Sequence, residues 1–388
     1  MARTKNCHAR MDFYVSYRSY RRHDRYFGNG KINIYFTTMI IKGVEEISFE
    51  NQRVLVRVDF NVELNNIDAV QEHFRFSIVK ETIEYIAGFS GVKIALLTHF
   101  GRPEGKKDLQ FSTERLMRSI ENALERKVVF VSDCVGSSVG ESLERLSGNE
   151  ILLLENVRFY SGEEENDLLF AKQLAEPFTV YVNEAFSVSH RAHASIVGVP
   201  KLLPAAGGFC LQKEMRELDN ARFRPERPAV AIIGGAKIET KLPLIRSLEE
   251  NYDCILVGGK IANEALDQKI AFSSKVLLPQ DFNSPQRLDI GPTTIAYYTQ
   301  IIKQAKTIVW NGPMGKFEEK PYDIGTDAIL HAILESGAFV VIGGGESLAV
   351  LEEAGVMAKV SFVSSGGGAM LEYLSGKQLP GIEALQSK

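Results

Sequence analysis

Charged and polar side chains stand repeatedly where apolar runs stop. Asp59 and Asn61 close the stretch Val54–Asn61, His99 and Arg102 follow Lys93–Leu97, and Arg158 follows Glu150–Leu154. His190, Arg191 and His193 follow Phe178–Val182, and Arg75 lies just before a helical stretch. Parallel strands in an open α/β sheet bind ligands outside their carboxyl ends. Guanidinium groups gathered at such an edge match a phosphate or carboxylate through paired N–H donors. A single arginine after a strand is more often a solvated loop residue. The same position after three strands puts an anion site on an equal footing with solvated loops.

The second half ends its apolar runs differently, in Gly234-Gly235-Ala236-Lys237, Gly258-Gly259-Lys260, Asn311-Gly312-Pro313, Gly343-Gly344-Gly345-Glu346 and Gly366-Gly367-Gly368. Glycine lets a backbone approach a ligand closely, and amides at a helix start suit phosphate oxygens. A glycine pair can equally be a tight strand-to-helix turn, but here the pair recurs. Lys237 and Lys241 are spaced to share a helix face, and a carboxylate such as Glu346 can hold Mg²⁺ bridged to phosphates. Neither GxxxxGK[ST] nor GxGxxG occurs, which excludes a P-loop and the dinucleotide fingerprint.

These residues need a scaffold of alternating strands and helices. Strands are predicted at Arg53–Val58, Lys93–Leu97, Lys127–Val131, Glu150–Leu154 and Phe178–Val182, with helices at Phe76–Ala87, Ser112–Glu125 and Asp167–Leu174. Ser112 and Thr113 are candidate caps. Pro200, Pro204 and Gly207-Gly208 interrupt the pattern, Leu211–Ala221 reads as a charged helix, and Arg222–Pro228 as a connector. Strands return at Ala229–Ile233, Cys254–Val257, Thr307–Trp310, Phe339–Ile342 and Lys359–Val363. Continuous Val/Ile/Leu runs between helices mean parallel sheets covered on both faces. The fold class is α/β: two doubly wound parallel-sheet domains joined by a helix and hinge.

Length and composition agree. The 388 residues exceed one ordinary core. The chain is 45% hydrophobic and 24% charged, has no run long enough for a membrane span, and its net charge of −4 argues against general nucleic-acid binding. Cys7, Cys134, Cys210 and Cys254 form no CxxC pair, which suits reduced thiols in the cytoplasm. Residues 1–38 carry eight Lys/Arg against two acids, leaving −10 for residues 39–388, and are rich in Tyr and Phe. That stretch is expected to be a disordered tail or a start upstream of a true one at Met39; an RNA- or membrane-binding arm is the other reading.

An anion site on one domain and a glycine-lined phosphate site on the other suggest phosphoryl transfer in a closing cleft. In VLVRVDFNVEL, HFGRPEG, LLLENVRF, HRAHAS, IIGGAK, WNGPMGKFE and GGGAMLE the sequence resembles the phosphoglycerate kinases, in order from Met39 to the end. The resemblance implies reversible phosphoryl transfer between 1,3-bisphosphoglycerate and ADP, giving 3-phosphoglycerate and ATP with Mg²⁺, by a monomer. It implies an acid-substrate site of Asp59, Phe60, Asn61, Arg75, His99, Phe100, Gly101, Arg102, Arg158 and Arg191. It implies a nucleotide site of Gly235, Lys241, Asn311, Pro313, Glu318, Gly344, Gly345, Glu346 and Ser347, with Glu346 also at the metal. Arg75, Lys237, Lys241 and Gly367 would serve the transferred phosphoryl group. The implied division is an acid-substrate domain at 39–208, a linker at 209–228, a nucleotide domain at 229–370 and a returning tail at 371–388. Four features depart from the family: Glu346 where Asp is usual, Thr240 where Asp is usual, Glu184 and Ser187 where Asp and Gly are favoured, and a shortened stretch Glu264–Leu288, which should trim the edge of the second domain. These departures also motivate a second reading, a catalytically weak relative retained as a nucleotide-binding protein.

Overall fold

A computed structural model of the chain describes residues 41–62 and 74–386. The basic stretch 1–38, with the RNA or membrane reading attached to it, lies outside the described residues, as does the expected polar loop Asn65–Asp68. The described chain builds two sheets of six parallel strands each. The first contains β1 (Arg53–Arg57), β2 (Lys93–Leu97), β3 (Lys127–Val131), β4 (Glu150–Leu154), β5 (Val180–Asn183) and β6 (Ala205–Gly207), in the order 3-4-2-1-5-6. The second contains β7 (Ala229–Ile233), β8 (Cys254–Val257), β9 (Val276–Leu277), β10 (Thr307–Asn311), β11 (Phe339–Gly343) and β12 (Phe362–Ser364), in the order 12-11-10-7-8-9.

Alternation along each strand supplies two buried faces. Val54, Val56, Ile94 and Leu96 pack on one side of the first sheet with Ile83 and Ile86 of the helix Lys80–Ala87. Leu55, Ala95 and Leu97 face the other side, in a core that continues through Leu211, Met215 and Leu218 of the helix Phe209–Phe223 to Ala229, Ala231 and Ile233. One apolar core therefore runs from sheet to sheet through the linking helix, each fully buried Leu or Met being worth about 1.5–3 kcal/mol.

Two buried carboxylates fasten that helix. Its N-cap, Gly208, offers no side chain; instead Glu184, arriving from β5, accepts from the amides of Cys210 (3.3 Å) and Leu211 (2.9 Å) and from the Thr82 hydroxyl. A negative group there complements the helix dipole. In mid-helix, Glu214 Oε1 accepts from Ser365 N (2.6 Å) and Ser365 Oγ (2.7 Å), just after β12. Burial pushes both carboxyls up to about 7, against the pull of their hydrogen bonds. An unfolded glutamate ionises near 4.5, so between pH 4.5 and 7 the unfolded chain gives up a proton that the folded one keeps, and each residue costs stability as pH rises. Glu214→Gln, an isostere of the protonated form, should gain stability on wild type across this interval, by on the order of 3 kcal/mol at the upper end. Urea unfolding of both proteins at pH 5 and pH 7 measures it; an equal difference at the two values would refute it.

Several element boundaries differ from expectation. The helix expected at Phe76–Ala87 is two pieces, Phe74–Ser77 and Lys80–Ala87. Ser112 does cap, accepting from Glu114 N at 3.3 Å, but the first turn is 3-10 over Thr113–Leu116 because the Thr113 amide and hydroxyl are drawn to Glu155 and Leu154. β6 occupies Ala205–Gly207, where prolines and glycines suggested a break, and β12 begins only at Phe362, after a 3-10 turn at Met357–Lys359. In the shortened stretch no helix lies between Asp267 and Pro292, and β9 is an edge strand of two residues.

Candidate active site

In the first sheet, β1 leads to β2 on one side and β5 to β6 on the other, so the crevice between β1 and β5 is the switch point where ligands bind in such sheets. Asp59 stands at its mouth. It accepts from Arg75 Nη1 of the short helix Phe74–Ser77, from the Ser187 hydroxyl across the crevice, and from Asn61 N at 3.1 Å. Burial alone would raise this carboxyl; Arg75, then His99 and the two hydrogen bonds, hold it well below the usual range. Asn61 Oδ1 accepts from Gly101 N (2.8 Å), tying the β1 and β2 loops together. Phe60 and Phe100 are core residues whose amides bind Thr98 Oγ1 (3.0 Å) and Asn156 Oδ1 (3.2 Å). They shape the loops from behind, and Gly101, at φ +64°, turns the chain where a Cβ would meet Phe111 at 2.2 Å.

The cations expected to converge do so in part. Arg158 is buried, donates to Gly101 O at 2.9 Å and lies 3.2 Å from Glu164. Burial lowers it to about 10, the nearby Arg191 and Arg57 adding to that effect. Arg191 Nε donates to His190 Nε2 at 3.3 Å and pairs with no carboxylate among the described residues. Burial and the same guanidinium groups push His99 well below its ordinary value and His193 to about 3. An incoming anion would relieve this mutual repulsion. Arg102 is exposed at the rim.

The motifs did not single out Arg57, Ser187, Glu163 or Ser195 as site residues. Arg57 ends β1 on the inward face shared with Leu55 and is buried. The one legible signal is an arginine at an inward position of VLVRV. Glu163 and Ser195 belong to a helical turn and a π-helix that no periodicity marks.

The second sheet has its switch point between β7 and β10. Here glycines serve two purposes. Gly234 and Gly235 pack loop on loop: their amides donate to Asn311 O (2.9 Å) and Pro313 O (3.1 Å), and a Cβ on Gly234 would sit 2.0 Å from Pro313 O. The turn-and-packing reading thus accounts for that pair. Gly344 and Gly345 instead open the helix Gly345–Glu353, with Gly344 at φ +110° and open space around a Cβ on Gly345. Ser347 Oγ accepts from Gly312 N at 2.7 Å, fixing this start to β10. Lys241 Nζ reaches Asn311 Oδ1; burial lowers the ammonium to about 8, and Glu346 pulls it back up. Lys237 is the extended N-cap of the helix Ile238–Asn251 and is exposed, so the helical spacing that would align it with Lys241 does not apply. Glu318 is exposed beyond β10.

The two half-sites meet at Gly366–Gly368. A Cβ on Gly366 would lie 3.0 Å from Ser187 Cα, one on Gly368 3.7 Å from His190 Nε2, and one on Gly367 2.9 Å from Gly344 Cα. The helix start Gly367–Leu374 thus sits between the Asp59 crevice and the Gly344 loop.

The model of the family "Phosphoglycerate kinase" matches residues 44–277 and 273–377. The phosphoglycerate kinase of Moorella thermoacetica is 40% identical, over 89% of this chain and 99% of its own. The crystal structure of the Pyrococcus horikoshii phosphoglycerate kinase superposes with a TM-score of 0.78 at 30% identity, covering 89% of this chain and 98% of that one. The Coxiella burnetii phosphoglycerate kinase gives 0.74 at 32%, covering 89% and 99%. This chain belongs to the phosphoglycerate kinase family. Its departures from the family pattern lie in different parts of the chain, and Ser187 is the one at the seam between the half-sites. Ser187, where phosphoglycerate kinases favour glycine, adds a hydroxyl to the Asp59 oxygen that also takes Arg75. Glu184, where they favour aspartate, caps the linking helix. Thr240 Oγ1 donates to Lys237 O at 2.9 Å and so replaces a charge with a local turn contact.

Proposed function

We propose that the chain catalyses reversible phosphoryl transfer between 1,3-bisphosphoglycerate and ADP, with acid substrate on the first sheet and nucleotide on the second. The domain division proposed is 39–208, linker 209–228, 229–370 and tail 371–388. The meeting of the two half-sites at Gly366–Gly368 carries the reading. Asp59, Asn61, His99, Arg102, Arg158 and Arg191 hold 3-phosphoglycerate, with Phe60, Phe100 and Gly101 shaping their loops. Arg75 leaves Asp59 to stabilise charge on the phosphoryl group in flight. Lys237, Lys241 and the amides at Gly344–Ser347 neutralise nucleotide phosphates, Gly235, Asn311 and Pro313 support them, and Glu318 takes the ribose. Gly367 presents its amide to the transferred group. Positioning and charge stabilisation suffice for direct in-line transfer.

Among the described residues no three His, Cys, Asp or Glu gather as a metal cage. Glu346 is exposed in the first turn of its helix. One carboxylate facing a phosphate site fits Mg²⁺ carried by the nucleotide, with phosphate oxygens and water completing its shell. The ion, held there by Glu346, would neutralise charge on the phosphate oxygens. A monomer in the cytoplasm is the accompanying proposal; among the described residues no helix is long and apolar enough to cross a membrane.

The test is a steady-state assay of the full chain with 3-phosphoglycerate and MgATP, the product being removed by a coupling enzyme. Turnover above about 1 per second is expected. ADP bound calorimetrically without turnover would replace the kinase with a nucleotide-binding relative.

A further inference from the structure

We infer that Glu163 is a positioning residue which, through Ser195 and Arg57, keeps the ring proton of His99 on Nε2. The inference rests on the reading that His99 faces the acid substrate. Arg57 is 1% exposed and Glu163 0%. A guanidinium cannot shed its charge in a protein, and a buried charge requires a partner. Glu163 Oε1 lies 3.9 Å from Arg57 Nη2. Ser195, on the π-helix Ala194–Gly198, links the two: Arg57 Nε–H donates to Ser195 Oγ at 2.8 Å, and Ser195 Oγ–H donates to Glu163 Oε1 at 2.6 Å. Ser195 N donates to Glu163 Oε2 at 2.8 Å. The direction is forced, because arginine has no acceptor and serine one proton. Both Glu163 oxygens therefore accept. Burial raises this carboxyl, and Arg57 followed by the two Ser195 bonds draws it back.

Arg57 is thereby held with Nη1 donating to Val58 O at 2.5 Å and Nη2 3.4 Å from His99 Nδ1. Only donors face that nitrogen from Arg57, so Nδ1 accepts and the proton of the neutral ring resides on Nε2. A competing group is present. Asp59 Oδ1, 3.8 Å from the same Nδ1, would favour a proton there. Arg57 is nearer and wins the contest, provided that Glu163 and Ser195 keep it in place. The ring is 3% exposed, and burial, together with Arg57, Arg158 and Arg191, disfavours its charged form. His99 thus meets an anionic substrate as a neutral Nε2–H donor of fixed direction. A freely titrating imidazole would switch its charge.

The experiment is ¹⁵N NMR of the ligand-free full chain with ¹⁵N-labelled histidine, His99 being assigned by its loss in His99→Gln. Wild type should show Nε2–H, unchanged from pH 6 to 8. Glu163→Gln offers one acceptor where two are used, so one Ser195 bond fails and Arg57 loses its anion. His99 should then pass to the Nδ1–H form or titrate, and KM for 3-phosphoglycerate should rise about tenfold, the scale of one lost bond to a charged group, with KM for MgATP unchanged. Ser195→Ala, which keeps the carboxylate but removes the relay hydroxyl, should shift His99 the same way and carries the test if Glu163→Gln does not fold. Nδ1–H in wild type overturns the inference, and so does Nε2–H retained in the folded variants. Wild type that 3-phosphoglycerate fails to saturate would overturn the functional reading while leaving the tautomer result standing.

Discussion

Arg75→Ala should lower kcat by about 10³ or more, the scale on which a lone arginine stabilises a phosphoryl group in transfer, while KM for 3-phosphoglycerate changes only several-fold. Arg75 sits on a four-residue helix at the mouth of the β1/β5 crevice, its side chain 20% exposed, parked on the Asp59 carboxylate. The ion pair holds the guanidinium beside the seam where Ser187 meets Gly366. In the proposed reaction the acid substrate would be held mainly by Arg158, Arg191, His99 and Asn61, of which Arg158 and Asn61 bond to Gly101 and Arg191 to His190. A loss confined to kcat marks an interaction made in the transition state. Arg75→Lys should fall between, since an ammonium keeps the charge but not the planar fork. Stopped-flow and steady-state kinetics with both variants decide the matter; a kcat for Arg75→Ala within threefold of wild type would remove Arg75 from the chemistry.

Lys241→Met should lower kcat/KM for MgATP by about 10²–10³, as for loss of one preorganised charge donor, with KM for 3-phosphoglycerate nearly unchanged. The Lys241 ammonium is bonded to Asn311 Oδ1 beside the open helix start at Gly345, where phosphate oxygens would lie. Its pKa of about 8, lowered by burial and partly restored by Glu346, adds a pH signature. Above pH 8 the free enzyme loses this positive charge, so wild-type kcat/KM for MgATP should decline there. Lys241→Arg, which stays charged, should move that decline upward. A wild-type profile flat from pH 7 to 9.5 would contradict both the assignment and the charge state.

Ser187 shows how a departure from the family can be read. Its hydroxyl occupies the Asp59 oxygen that also receives Arg75. Glycine there would remove the hydroxyl that competes with Arg75 for this oxygen, so the serine would ease the release of Arg75 that the proposed mechanism requires. Glu346, the proposed metal-facing carboxylate, is one methylene longer than aspartate and stands in the first turn of its helix, beside the open start at Gly345.

The amino-acid sequence alone carries the α/β class, most of the strands and the family. Continuous apolar runs such as Lys93–Leu97 and Ala229–Ile233 are buried on both faces, and their period survives any tertiary context. It also determined the residue types at the strand ends, because a parallel sheet sends all of those ends to one edge. The tertiary structure decided which of them share a site. Arg57 became a site residue because alternation turned it inward, onto Glu163 and Ser195, 106 and 138 positions away along the chain. Lys237 is an extended, exposed cap ahead of the helix that carries Lys241, so helical spacing alone does not align the two. Gly234 proved to be packing and Gly345 an open helix start, though both are written as glycine runs, since only the position of the neighbouring loop distinguishes them. Residue type and local period are properties of short segments. Burial, tautomer and charge state arise from partners distant in sequence, and the fold alone brings those partners together.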